Sequence, residues 1–225
     1  MEYEILYQPS YSLLKVSLQR GEAISAESGA MVSMSSSIKI ETRMKGGLMG
    51  ALKRKVLGGE SFFMNTFTAD DAGEVTLAPS LPGDLCAIDL KGQTIYAQSG
   101  AYIASSPGIE VDTKWGGAKT FLSREGFFLL KISGTGKVFL SSYGAIHEIT
   151  LVDGQKYIVD TGHMVAFDQS VGYSVKKVGG LKSTFFSGEG LVCELTGPGK
   201  IMIQTRSEDA FLSWLIPHLP TKKGD

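Results

Sequence analysis

Three histidines, two cysteines and a recurring glutamate are the residues of this 225-residue chain best equipped for chemistry. His147 falls in a strand-like run and His218 lies beyond a short helical pattern. Neither has a second imidazole at the i, i+4 spacing that builds a zinc site. His163 stands in a column that holds Ala30 and Ala101 in two other copies of a repeated pattern. That departure makes it the candidate specialised position, since an imidazole titrates near neutrality. Glu60, Glu125 and Glu189 also recur in one column. Paired carboxylates do acid–base work, but three equivalent copies fit maintenance of the fold better. There is no Gly-x-Ser-x-Gly elbow, and Gly134-Thr135-Gly136-Lys137 runs into Val138 where a phosphate loop needs Ser or Thr. No catalytic, cofactor-binding or metal-ligating residue is assigned, and the expectation is a non-enzymatic protein with no cofactor.

The elements that would position these residues are strands written three times. Gly21-Glu22, Gly92-Gln93 and Gly154-Gln155 each open a short apolar run, which ends at Ser28-Gly29, Ser99-Gly100 and Thr161-Gly162. Paired glycines follow at Gly46-Gly47, Gly116-Gly117 and Gly179-Gly180, then the glutamate column, then two more apolar runs. Short runs with period-two alternation, bounded by glycine, are strands. Much of the glycine content, 28 residues, is one set of turns repeated. The glycines of Ser133-Gly134-Thr135-Gly136-Lys137 and Thr196-Gly197-Pro198-Gly199-Lys200 are read as hairpin turns.

The expectation is an all-β fold of three tandem antiparallel repeats, about residues 1–80, 81–141 and 142–206, in pseudo-threefold arrangement. A single sheet face must find another layer to cover it. The phenylalanines Phe62, Phe63, Phe67, Phe121, Phe127, Phe128, Phe185 and Phe186 are expected around a shared apolar centre. Repeats and a C-terminal helix at 207–217 make one domain over 1–219, followed by a frayed tail at 220–225. Ser207 is the expected N-cap, with Glu208 and Asp209 suiting the helix dipole. Phe211, Trp214 and Leu215 make this helix a candidate docking or oligomer contact.

One segment breaks the repetition. Arg43–Leu57 lengthens the first unit and holds five basic residues and no acid, out of 22 basic and 23 acidic in the chain. Leu48, Met49, Leu52, Lys53, Arg54 and Lys55 are the candidate contacts for an anionic membrane or a protein partner. Basic residues at such a surface contribute about 1 kcal/mol each.

The net charge of −1 argues against a dedicated nucleic-acid binder, and 43% hydrophobic residues argue against disorder. Cys86 and Cys193 stand alone in apolar runs, as buried free thiols do. With no basic, apolar leader at Met1-Glu2-Tyr3-Glu4, a cytoplasmic protein is expected, with contact at a membrane surface as the variant.

The run Gly59-Glu60-Ser61-Phe62-Phe63-Met64-Asn65-Thr66-Phe67-Thr68-Ala69, the preceding Gly46-Gly47 and Leu52-Lys53-Arg54, and the three Ser/Thr-Gly motifs resemble the mitochondrial biogenesis family named for altered inheritance of mitochondria. The resemblance covers about residues 3–219. It implies β-sheet units like those of the tryptophan RNA-binding attenuation protein, but not RNA binding, because fold does not imply function. Mitochondrial members are associated with the inner membrane. Without a presequence this chain looks like a prokaryotic member, and the family offers no catalytic residue to carry over. The leading expectation is a non-enzymatic scaffold, homo-oligomeric, that binds a protein partner or a membrane surface. A protein with a ligand or active-site pocket between repeats, near His163, is the rival, and RNA binding is the weaker one.

Overall fold

The computed structural model describes residues 1–43, 64–112, 121–122, 127–177 and 191–220. The first stretch carries β1 (Glu2–Leu6), β2 (Leu13–Leu18), β3 (Ala23–Glu27), β4 (Met31–Met34), β5 (Ile38–Arg43), β6 (Met64–Ala69) and β7 (Gly73–Leu77). The second carries β8 (Leu85–Gln98), β9 (Tyr102–Ser105), β10 (Ile109–Asp112), β11 (Phe121–Leu122) and β12 (Phe127–Ser141). The third carries β13 (Ile146–Leu151), β14 (Lys156–Asp160), β15 (Met164–Asp168), β16 (Gly172–Lys177), β17 (Leu191–Thr196) and β18 (Gly199–Gln204). One helix, α1 (Glu208–Leu215), follows. The chain is therefore mostly β, with antiparallel sheets and a short C-terminal helix.

Alternation explains the strands. In β2, Leu14, Val16 and Leu18 are buried while Leu13, Lys15 and Ser17 keep some exposure. In β17, Leu191, Cys193 and Leu195 point inward. Fully burying one such aliphatic side chain stabilises the fold by about 1.5–3 kcal/mol.

One pairing scheme recurs. In the first stretch β2–β7–β4 forms one group and β3–β6–β5 another. In the third stretch the groups are β13–β18–β15 and β14–β17–β16. In the second, the long strands β8 and β12 serve both groups at once, paired from Leu129↔Gln98 to Ser141↔Leu85. β9 and β10 lie along the two halves of β12.

The expected hairpin turns are corners instead. Ser133–Lys137 lies inside β12, where Gly134 (φ +120°) and Gly136 (φ +147°) bend the strand at a register shift against β8. Thr196–Lys200 carries the chain from the β14–β17–β16 group to the β13–β18–β15 group. Positive φ is needed in both settings, so glycine alone does not tell a hairpin from a corner.

The core also departs from expectation. Buried apolar residues form three clusters, not one shared centre. Each is filled mainly by the two sheet groups of one stretch, so cover comes from within the unit. Phe67 is buried and Phe128 half-buried. Phe62, Phe63, Phe185 and Phe186 lie outside the described residues, and the Phe121 and Phe127 side chains are likewise not described.

Neighbouring stretches join through short ladders. β3 pairs β9 at Ser25↔Ser105 and Ala26↔Ala104. β8 pairs β15 at Ile95↔Asp168, Tyr96↔Phe167 and Ala97↔Ala166. The connectors touch through an isolated parallel bridge, Gly83↔Gly144. A Cβ on Gly83 would fall 1.6 Å from the Ser142 carbonyl oxygen, so only glycine fits there.

Candidate functional site

The strand leading into the Ser/Thr-Gly motif ends in a polar residue in each unit: Glu27, Gln98 or Asp160. It is second in its unit once β1 is set aside and the long β8 is counted as first and second strands in one, and the strand after the motif (β4, β9, β15) is the third. Glu27 and Gln98 line a cavity of about 260 Å³ where the connectors meet, together with Tyr143, Gln204, Glu208 and Asp209. Thr161, Gly162 and Met164 also line it from the third unit. Among the described residues, three acids and no Lys, Arg or His line this space, so it disfavours phosphate and other anions.

Its polar groups are largely engaged in holding the fold. The Gln204 side chain donates to the Gly162 carbonyl (2.9 Å) and accepts from the Tyr143 N–H (2.8 Å). Asp160 accepts from the Gly162 N–H at 2.7 Å. The half-buried His163 does not line the cavity. Its Nδ1 donates to the Gln204 carbonyl at 2.7 Å, which fixes the turn to the start of the chain's last connector. Sequence reasoning overlooked Gln98, although the polar column before Ser/Thr-Gly was there to be read, and Gln204, which lies outside that column.

The second candidate is α1. Ser207 caps it, accepting from the Ala210 N–H at 3.4 Å, and Glu208 and Asp209 occupy the first turn. Phe211 and Leu215, one turn apart, are half-buried, and Phe211 meets Tyr143 edge-on at 6.1 Å. The apolar side chains Leu212 and Trp214 on its two flanks, and Ile216 and Leu219 beyond it, are exposed, with 60% of Trp214 accessible although its ring stacks on Phe211 at 6.3 Å. His218 stacks on the indole at 5.1 Å and donates from Nδ1 to the Trp214 carbonyl at 2.6 Å. The candidate docking residues thus divide. Phe211 and Leu215 anchor the helix, and Trp214 is presented outward.

The basic candidates Leu48, Met49, Leu52, Lys53, Arg54 and Lys55 lie outside the described residues, as do Glu60, Glu125, Glu189 and the paired-glycine columns. Among the described residues no group of His, Cys, Asp and Glu could hold a metal. No helix there is long and apolar enough to cross a membrane. Both cysteines are free. Burial pushes each thiol up to about 12, with Glu148 and Asp84 adding to the effect at Cys86, so neither has thiolate character near neutrality.

Relatives bear on this geometry. An uncharacterized protein of Streptococcus pyogenes serotype M6 is 28% identical over 232 residues, spanning 100% of this chain and 93% of its own. A crystal structure of a Streptococcus pyogenes protein aligns with a TM-score of 0.82 at 25% identity, over 97% of this chain and 99% of that one. Neither name carries an activity. Residues 3–206 match the family described as mitochondrial biogenesis AIM24. With nearly every described strand inside that match, the chain belongs to the mitochondrial biogenesis AIM24 family.

Proposed function

We propose that the chain is a non-enzymatic β scaffold that docks a protein partner through the outer face of α1. The observation that carries this reading is a short helix anchored by Phe211 and Leu215 whose other large apolar side chains stay exposed. Ser207, Phe211 and Leu215 fix it to the body, while Leu212, Trp214 and Ile216 face outward. Tryptophan on a rigid element is a typical anchor of protein interfaces. The acids in its first turn repel an anionic bilayer, so a protein surface suits this helix better than lipid.

A photo-crosslinking residue at position 214, with position 39 as an exposed control, tests this in the native cell. The expected result is one protein adduct specific to position 214. That protein, once purified, binds the chain and loses at least tenfold affinity to Trp214→Ala. Adducts to lipid alone, or flotation with phosphatidylserine vesicles that Trp214→Ala abolishes, would overturn it. The basic Arg43–Leu57 stretch favours a second reading, contact with an anionic membrane. In that case vesicle binding is lost when Lys53, Arg54 and Lys55 become Gln and is untouched by Trp214→Ala.

A further inference from the structure

Both junctions inside the chain are built alike. At each, the second strand of one unit pairs with the third strand of the next: β3 with β9, and β8 with β15. The register is also the same. Counted from Gly21, Gly92 and Gly154, the residues Ser25, Tyr96 and Ile158 occupy one column, and Met34, Ser105 and Phe167 another. Ser25 pairs Ser105, and Tyr96 pairs Phe167. One step along, Ala26 pairs Ala104, and Ala97 pairs Ala166.

Two strands are left over: β14, the second strand of the last unit, and β4, the third strand of the first. Among the described residues neither has a partner on its remaining edge. β14 pairs only β17, and β4 pairs only β7.

Burial says what those strands lack. All four residues of β9 are buried, as are Met164, Val165, Ala166 and Phe167 of β15. Ile103 and Ala104 belong to the first unit's core cluster, and Val165 and Ala166 to the second's. Each third strand therefore completes the core of the unit before it. All four residues of β4 are exposed. Val32 is 59% accessible where its counterparts Ile103 and Val165 are at 1% and 0%. On the other side, Ile158 is 63% accessible. Tyr157 is exposed, where Ile24 and Ile95 are buried. The first unit's third strand has no core to enter, and the last unit's core has no third strand to close it.

We infer that β4 of one copy of this chain pairs with β14 of a second copy, setting Met34 opposite Ile158 and Ser33 opposite Val159, with Val32 entering the last unit's core. The surface is apolar on both sides, and the strand type, direction and register it asks for are those already used twice within the chain. The contact is head-to-tail. It joins unlike surfaces, so repetition makes a ring if the rotation closes and a filament if it does not. It does not depend on α1, and Trp214→Ala is expected to leave it intact.

Two single-site chains test it, Met34→Cys and Ile158→Cys, each also carrying Cys86→Ala. Directly opposed Cβ atoms in a ladder lie about 5 Å apart, within reach of a short bifunctional thiol reagent. Mixed, the two chains are expected to give a covalent 34–158 heterodimer, while each alone stays at monomer mass on a denaturing gel. Light scattering of the unmodified chain is expected to show mass rising with concentration. Val32→Asp, at an exposed site, is expected to keep the monomer's circular dichroism and to weaken association at least a hundredfold. Monomer mass at every concentration overturns the inference. So do 34–34 or 158–158 adducts, which would mean symmetric edges. A 34–158 bridge within one doubly substituted chain, running at monomer mass, overturns it as well.

Discussion

β4 and β9 occupy the same place in successive units and have similar sequences, Met31-Val32-Ser33-Met34 and Tyr102-Ile103-Ala104-Ser105. One is wholly exposed and the other wholly buried. What separates them is position in the series. β9 follows a unit whose core it completes, and β4 follows none. Burial of a strand in this architecture is set by its neighbour more than by its own composition.

The contrast is sharpest under truncation. Ile103→Ala removes side-chain atoms from a closed core and is expected to destabilise the fold by about 2–5 kcal/mol. Val32→Ala, at the matching position, is expected to change single-chain stability by no more than about 0.5 kcal/mol. Urea melts at low protein concentration check the pair. Equal losses would mean that β4 is covered within one chain.

A smaller effect is expected at the residue before. Tyr102 is fully buried, and its hydroxyl lies 2.7 Å from the Ser105 Oγ. Burial raises its pKa well above the usual phenol value, so it stays neutral throughout the working range. Tyr102→Phe is expected to cost about 1 kcal/mol by breaking that pair. Met31→Leu, in the same column of β4, is expected to be neutral in the same melts.

The smallest effect concerns β14, the other open strand. The Glu194 carboxylate on β17 lies 2.8 Å from the Lys176 Nζ and 3.3 Å from the Lys156 Nζ. Hydrogen bonds from Lys176 and then Lys156 hold its pKa below the ordinary 4.5. A lowered carboxylate contributes stability above the unfolded value, and that contribution is lost as pH falls through the folded one. Glu194→Gln should lower Tm slightly near neutrality, where the contribution is present, and flatten the profile below about pH 4.5, where the parent loses it. Superimposable profiles would show that the Lys156–Glu194–Lys176 contact does not brace β14.

The class of fold was legible because alternation and glycine punctuation are local signals. Leu14-Lys15-Val16-Ser17-Leu18 declares a strand with one buried face whatever surrounds it. Ser207, Glu208 and Asp209 likewise declare a helix start. The corners at Gly134 and Gly199 were not legible, because a positive φ serves a hairpin and a bent strand equally. The exposure of Val32 was not legible either, since nothing in four residues records whether a unit stands before them. His163 stood out in its column, but its Gln204 partner lies 41 residues away, and only the folded chain brings the two together.

The middle unit has one more consequence. Its long strands β8 and β12 hold each other over twelve residue pairs. The ladders on either side of it are two and three pairs long. Pulled from its two ends, the molecule would yield at those two short seams before the central ribbon sheared. Parting them would also open the first unit's core, which holds Ile103, Ala104 and Phe139 of the middle one, so each seam carries a mechanical and a packing role together.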